Sequence, residues 1–513
     1  MRDQEEANGP FRVFMLIAAP AAAAALVAFG DLSPGHPEVT RTAAVALWMA
    51  LWWLSTAVPL AATAMLPVVL FPALGVMSGK DVPGYYFNDI IFLFLGGFLV
   101  ALAMQRWDLH RRIALRILLF FGGRPSRVLL GFMAPTFFLS MWISNTATTM
   151  MMAPIAISLI VRLEESGPER AVRRFSTALL LGIAYSASVG GTATLIGTPP
   201  NLSMVVITER IFPGAPPMAF APWFAFALPG ALLMLAALWA VLRSMYLRDS
   251  ASLRVDMAVI REQYRALGPV TFEQRAVFAV FAAMALLWLT REGIQTESLA
   301  IPGWSALFPE PSYLRDGTVA TALALILFVL PAPSRPGARI MDWQTARALP
   351  WDIVLLFGGG FALAAGFSTS GLAAWAGEQM TGLAGFPPVA LVFFLCLAVS
   401  FLTELTSNAA TTEMLLPVIA ALAVAIQVHP FLLIIPVTLA CSFAFMLPVA
   451  TPPNALIFGT NRVKMLDMAR TGFVFNLLAV ALVTIGIFTL GSTIFAIDLD
   501  AMPAWATLSP AAE

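Results

Sequence analysis

Residues 128–161 read VLLGFMAPTFFLSMWISNTATTMMMAPIAISLIV, and residues 389–428 read VALVFFLCLAVSFLTELTSNAATTEMLLPVIAALAVAIQV. Each is an apolar run interrupted by a polar tip: SNTATT from Ser144 to Thr149 in the first, SNAATT from Ser407 to Thr412 in the second. The apolar arms on either side are short against the roughly 20 residues that a helix needs to cross a bilayer. A chain that dips into the membrane, turns on its polar tip and returns to the same face accounts for both facts. Irregular backbone is tolerated at membrane depth only where protein or a water-filled cavity covers it. Two helical hairpins are therefore expected, over about 124–162 and about 386–428.

The flanking charge gives each hairpin a face. Arg124 and Arg127 precede the first, and Arg162, Arg170, Arg173 and Arg174 follow it, so its ends belong to the cytoplasm by the positive-inside rule. No Lys or Arg lies between Arg347 and Arg462, which places the ends of the second hairpin outside.

The rest of the chain fits this setting. Of 513 residues, 59% are hydrophobic and 11% charged, more apolar surface than a water-soluble fold hides. Eleven further apolar segments read as membrane spans: 11–29, 43–58, 62–76, 90–105, 175–189, 224–242, 276–290, 318–330, 353–367, 431–447 and 473–497. The fold class is an all-α polytopic membrane protein of about eleven transmembrane helices plus two re-entrant hairpins. An odd span count with a cytoplasmic N-terminus puts the acidic, base-free end from Asp498 onward outside. The first apolar run has no small-residue cleavage site behind it and is expected to stay as a span. Segment 109–120, with clustered arginines, reads as an interfacial helix. The polar stretch 248–274 reads as the cytoplasmic connection between two halves. Cys396 and Cys441 both sit in apolar runs and read as small core residues. With 29 basic and 29 acidic residues the chain is neutral, and nothing points to a nucleic-acid partner. No nucleophile triad, phosphate loop or zinc spacing appears, so no enzyme is expected.

The two halves repeat. DIIFLFLGGFLVALA from Asp89 matches DIVLLFGGGFALAAG from Asp352, an offset of 263, and Ser144 and Pro154 keep that offset to Ser407 and Pro417. A third shared element follows each hairpin, GTPPN at 197–201 and ATPPN at 450–454, offset by 253. Duplicated halves with hairpins of opposite orientation are the inverted-repeat plan of secondary transporters, whose broken helices meet near the midplane. The organisation expected is N-terminal scaffold spans over 1–80, a first repeat over 81–247, a connection over 248–275, scaffold spans over 276–345 and a second repeat over 346–513. Kinked packing elements are the plainer alternative, and the matched offsets speak against them.

Polar side chains at membrane depth are costly unless they face protein, water or a ligand, which makes Ser144, Asn145, Thr146, Thr148 and Thr149 candidates, with Ser407, Asn408, Thr411 and Thr412 as counterparts. Helix-end amides at a midplane turn favour an anionic group, while freed carbonyls and hydroxyls hold a small cation. An anionic substrate travelling with a cation is expected. The competing reading of any one hydroxyl is a bond back to its own turn. At the TPPN breaks, Thr198, Asn201, Thr451 and Asn454 read as further polar contacts, and the prolines free carbonyls of the preceding turn. Glu404 reads either as a structural hydrogen-bonding group or as a proton site, and Asp89 and Asp352 as helix caps.

The motifs SNTATT, SNAATTEMLLP, GTPPN and ATPPN, in this order, resemble the divalent anion/sodium symporter (DASS) family of dicarboxylate, citrate and sulfate carriers, over nearly the whole chain from about residue 40. The resemblance implies a homodimer in the bacterial inner membrane, of the ion-transporter superfamily, with a transport domain moving as an elevator. It also implies sodium-coupled symport of a divalent anion, foremost a four-carbon dicarboxylate such as succinate, malate or fumarate. By motif position it implies one sodium site at Ser140, Ser144, Asn145 and Gly197, and a second at Thr403, Thr406, Asn408 and Ala450. Anion contacts fall on Ser144, Asn145, Thr146, Thr198, Ser407, Asn408, Thr451 and Pro452. Position 409 departs from the pattern of bacterial dicarboxylate carriers: Ala409 stands where they have a threonine. Sulfate or citrate transport, sodium-independent anion exchange and proton-coupled transport are the alternatives.

Overall fold

A computed structural model describes residues 10–248, 253, 255–295, 300–499 and 501–506. The extreme N-terminus and the last seven residues, part of the base-free end read as external, lie outside the described residues. Most of the rest is helix, with one two-residue antiparallel pair, Ile294–Gln295 with Ala300–Ile301, in a loop.

Both hairpins form. The first runs through a leading arm, Pro125–Ser140, and a trailing arm, Asn145–Ser166; the second through Pro388–Thr403 and Asn408–Ala425. Pro125 and Pro388 stand at the first helical turn, where a missing N–H costs nothing. Ser144 ends the first turn region as an N-cap, its Oγ accepting from Ala147 N at 3.2 Å. The arms are less alike than their hydropathy suggests. The leading arms have 16 residues, whereas the trailing arm of the first hairpin has 22, about 33 Å at 1.5 Å per residue. Its last turn, Arg162 to Ser166, is polar, so helix continues where the apolar signal stops.

All eleven expected spans are helical. Seven are among the nine described helices long and apolar enough to cross a membrane; the other two of the nine are the trailing arms. The remaining four are less apolar, shorter or interrupted. Segment 43–58 overlaps the 19-residue Pro37–Ser55, whose first turns carry Glu38 and Arg41; segment 62–76 is split into Leu60–Thr63 and Leu66–Ala73, and segment 318–330 is the 14-residue Asp316–Val329. Segment 431–447 stops at Cys441, and helix resumes only at Pro452–Phe458. The first half breaks in the same way, between Glu169–Thr192 and Pro199–Ile211. In both, the TPPN prolines head the resumed helix, which makes them starters rather than mid-helix breakers. The expected interfacial helix is Leu109–Phe121, packed on the first leading arm, and the connection between the halves contains a helix, Ala258–Ala266. Asp89 and Asp352 lie in first helical turns, where their charge opposes the helix dipole. The cap of the first helix is Asn88, whose side chain accepts from Ile91 N, so Asp89 is not the cap.

Packing crosses between the halves. The first trailing arm, Asn145–Ser166, packs on the resumed helix of the second half, Pro452–Phe458. Reciprocally, Asn408–Ala425 packs on Pro199–Ile211. Two hydrophobic cores result: a large one built on both repeats, and a smaller one of Trp53, Phe71, Tyr86, Leu363 and their neighbours that also takes in Ala409, Ala410 and Ala421. Outside the membrane-spanning segments, Arg106 at the end of Asp89–Arg106 is tied to Asp342, in the loop ahead of the second repeat, at 2.5 Å. The Thr345 backbone N–H, and then Arg106 itself, hold the Asp342 carboxyl below the usual carboxylate range.

Candidate functional site

Each tip is braced by the same pair of side chains. Ser140 ends the first leading arm and Asn145 opens the trailing arm; Ser140 Oγ donates to Asn145 Oδ1 at 2.6 Å. Their repeat partners do likewise, Thr403 Oγ1 standing 2.9 Å from Asn408 Oδ1. Thr403 Oγ1 is also 2.9 Å from the carbonyl oxygen of Cys441, the last residue before the second break. One hydroxyl hydrogen serves one acceptor well, so this cluster holds more acceptor oxygen than hydrogen.

The first break closes on the first tip through glycine. A Cβ built on Gly191 would stand 2.6 Å from Asn145 Oδ1 and 3.0 Å from the Gly197 carbonyl oxygen, which brings Asn145, Gly191 and Gly197 into direct contact. Ser144, Asn145, Thr146, Thr406, Ser407 and Asn408 are half-buried, Gly197, Thr198, Ala450 and Thr451 are buried, and Pro452 is exposed. Thr451 caps the resumed helix of the second half by accepting from Asn454 N at 3.3 Å. Thr406 Oγ1 pairs with Thr411 Oγ1 at 2.5 Å. Thr412 Oγ1 bonds back to Asn408 O at 2.8 Å, which gives that hydroxyl the local role. Thr148 and Thr149 are buried with no partner for Oγ1. Ala409 is buried in the smaller core.

Asn201 and Asn454 brace the breaks through their amide hydrogens, while the Oδ1 of each is buried without a hydrogen-bond partner. Both are wholly buried, and both spend their amide hydrogens on the break behind them. Asn201 Nδ2 donates to the carbonyls of Gly191, Thr192 and Thr194, and Asn454 Nδ2 to those of Ala444 and Leu447. Gly191 and Thr194 stand 253 residues before Ala444 and Leu447, so the brace is itself part of the repeat. It satisfies backbone that the break leaves without helical partners.

Glu404 takes the structural role. Its Oε1 accepts from Phe445 N at 2.7 Å, Met446 N at 2.8 Å and Asn476 Nδ2 at 2.8 Å, and its Oε2 from Leu447 N at 3.0 Å. The carboxylate thereby ties the second hairpin to the three amides of the second break. Ser400 Oγ and Tyr185 OH add bonds to the same non-helical stretch, at the carbonyls of Phe443 and Phe445. Asn476 and Tyr185 escaped the sequence reading. Asn476 is a lone amide inside the apolar run 473–497, and the rule that singled out the tips would have found it.

The family model described as the sodium:sulfate symporter transmembrane region matches residues 13–497. The chain is 41% identical over 463 residues to the sodium-dependent dicarboxylate transporter SdcS of Staphylococcus saprophyticus, covering 89% of this chain and 87% of that protein. It is 40% identical over 463 residues, with the same coverage, to the SdcS protein of Staphylococcus aureus. Among solved structures, the YdaH transporter of Alcanivorax borkumensis is similar in fold, with a TM-score of 0.56 at 12% identity, over 89% of this chain and 99% of that chain.

Proposed function

The chain belongs to the divalent anion/sodium symporter family, and from that premise we propose that it carries a four-carbon dicarboxylate across the membrane together with sodium. The observation that carries this reading is the pair of braced tips, each an asparagine amide oxygen held by a hydroxyl beside freed backbone carbonyls. Hard oxygen donors of this kind suit a small hard cation. Sodium, as a transported ion, is assigned to Ser140, Ser144, Asn145 and Gly197 in the first half and to Thr403, Thr406, Asn408 and Ala450 in the second. The dianion is assigned to Ser144, Asn145, Thr146, Thr198, Ser407, Asn408, Thr451 and Pro452, between the two cages. Crossed packing of each trailing arm on the other half's resumed helix supports one shared site. The relatives named for dicarboxylates support the substrate class.

The same reading includes a homodimer, an elevator movement of the transport domain, the segment boundaries given above, a cytoplasmic N-terminus and an external C-terminus. Sulfate is the second substrate reading, favoured by the description of the family model. Uptake of labelled succinate into proteoliposomes under an inward sodium gradient tests the proposal. Sodium-dependent accumulation is expected, displaced by malate or fumarate and not by sulfate. Accumulation indifferent to sodium refutes the coupling, and displacement by sulfate alone refutes the substrate class.

A further inference from the structure

Glu413 lies five residues beyond Asn408 on the trailing arm of the second hairpin and is wholly buried. Its Oε1 accepts from Ser203 Oγ at 2.5 Å, and its Oε2 is buried with no partner. The carboxyl lies flat against Gly360 of the helix Trp351–Thr369, where any Cβ would collide with Oε2. Ser203, also wholly buried, sits on the resumed helix of the first half, five residues beyond its N-cap Thr198. One hydrogen bond therefore joins the helix that presents Thr198 to the arm that presents Asn408.

The repeat supplies a control within the molecule. At the symmetry-related crossing, where Asn145–Ser166 packs on Pro452–Phe458, the residue 263 before Glu413 is Met150 and the residue 253 after Ser203 is Leu456. Apolar residues hold the equivalent positions at that crossing, where Leu456 is half-buried and Met150 is 58% exposed, so no buried polar bond is repeated there. A carboxyl buried with a single partner is unfavourable beside well-packed apolar groups of similar volume. Packing alone gives no reason for Ser203 and Glu413.

We propose that the Ser203–Glu413 bond is a positioning link that holds the first half's anion contact in register with the second half's cation cage, so that sodium bound at Asn408 sets the affinity for the anion. This inference rests on the sodium-coupled reading above. Its test uses full-length protein in proteoliposomes, with succinate half-saturation measured across a sodium series. The paired substitution Ser203→Leu with Glu413→Met installs the residue types of the other crossing, and Ser203→Ala removes the donor with the least change of shape. In both, half-saturation at high sodium is expected to rise about tenfold, the worth of one buried hydrogen bond, with maximal rate unchanged. The parent's tightening of succinate by sodium is expected to be lost. Glu413→Gln, which keeps an acceptor for Ser203, is expected to retain it. Parental sodium dependence of succinate half-saturation in either Ser203 variant overturns the inference. A parent indifferent to sodium overturns the coupling reading and this inference together, which distinguishes the two failures.

Discussion

The two hairpins share their tips and differ in what holds them. In the first half, Thr194 Oγ1 donates to the Met141 carbonyl at 2.5 Å and accepts from Gly197 N at 3.1 Å, so one hydroxyl ties the break to the tip. In the second half, Met141's repeat partner is Glu404, and a carboxylate gathers three backbone amides and Asn476. The braces Ser140–Asn145 and Thr403–Asn408 are nearly superposable in chemistry, while the fastenings behind them are not. What the duplication kept is the set of oxygens facing the centre. The supports were free to diverge so long as each broken backbone found partners.

Tip equivalence can be broken directly. Asn145→Ala and Asn408→Ala each remove an oxygen of a proposed cation cage, and each is expected to abolish sodium-dependent uptake, with sodium binding weaker by about a hundredfold. The protein should still insert and remain folded, as size-exclusion profiles will show. Normal sodium dependence in one variant would make the two cages unequal. The fastenings should separate by stability. Glu404→Ala strands three backbone amides, that of Phe445 buried, and is expected to cost about 3 kcal/mol or more, whereas Thr194→Val should cost about 1 kcal/mol. Thermal unfolding in detergent ranks them, and equal losses would contradict the asymmetry. A smaller effect is expected at Gly191, whose repeat partner is Ala444. Gly191→Ala places a methyl against Asn145 and should weaken sodium dependence about tenfold with little change in expression.

The smallest effect belongs to the tie outside the membrane. The Asp342 carboxyl has a lowered pKa in the folded protein, so its contribution is complete above the ordinary carboxylate range and is lost as pH falls through the folded value. Its side chain is 44% exposed, so screening keeps the effect small. Asp342→Asn is expected to lower the unfolding temperature by about 1 °C or less at neutral pH and not at all in strong acid. A larger shift, or one that persists in acid, would show that Arg106 relies on Asp342 for more than charge.

Much of this architecture is legible in the residues themselves. A polar tip inside an apolar run, repeated at a fixed offset, leaves few ways to fold in a bilayer, and both hairpins and both breaks follow from it. Helix length at the first trailing arm was hidden, because Arg162 to Ser166 continue the helix in polar sequence that hydropathy reads as loop. The roles of Asn201 and Asn454 were hidden for another reason. The hydrogens of a buried amide are taken equally well by a ligand or by a nearby carbonyl, and only the positions of Gly191, Thr194, Ala444 and Leu447 show that backbone takes them. The three amides that Glu404 gathers lie 41 to 43 residues away in the chain, and the Ser203–Glu413 contact spans 210 residues that no local pattern connects.

The crossed packing has an ancestral consequence. Each trailing arm rests on the resumed helix of the other half, so a single half alone would carry a tip and a seat that fit a second copy better than each other. A gene of half this length, its product inserted in both orientations, would have completed the same crossing by pairing antiparallel copies. Fusion of such a pair would then have released each copy from having to match itself, and a buried Ser203–Glu413 contact at one crossing only is the kind of difference that two identical subunits could not have held.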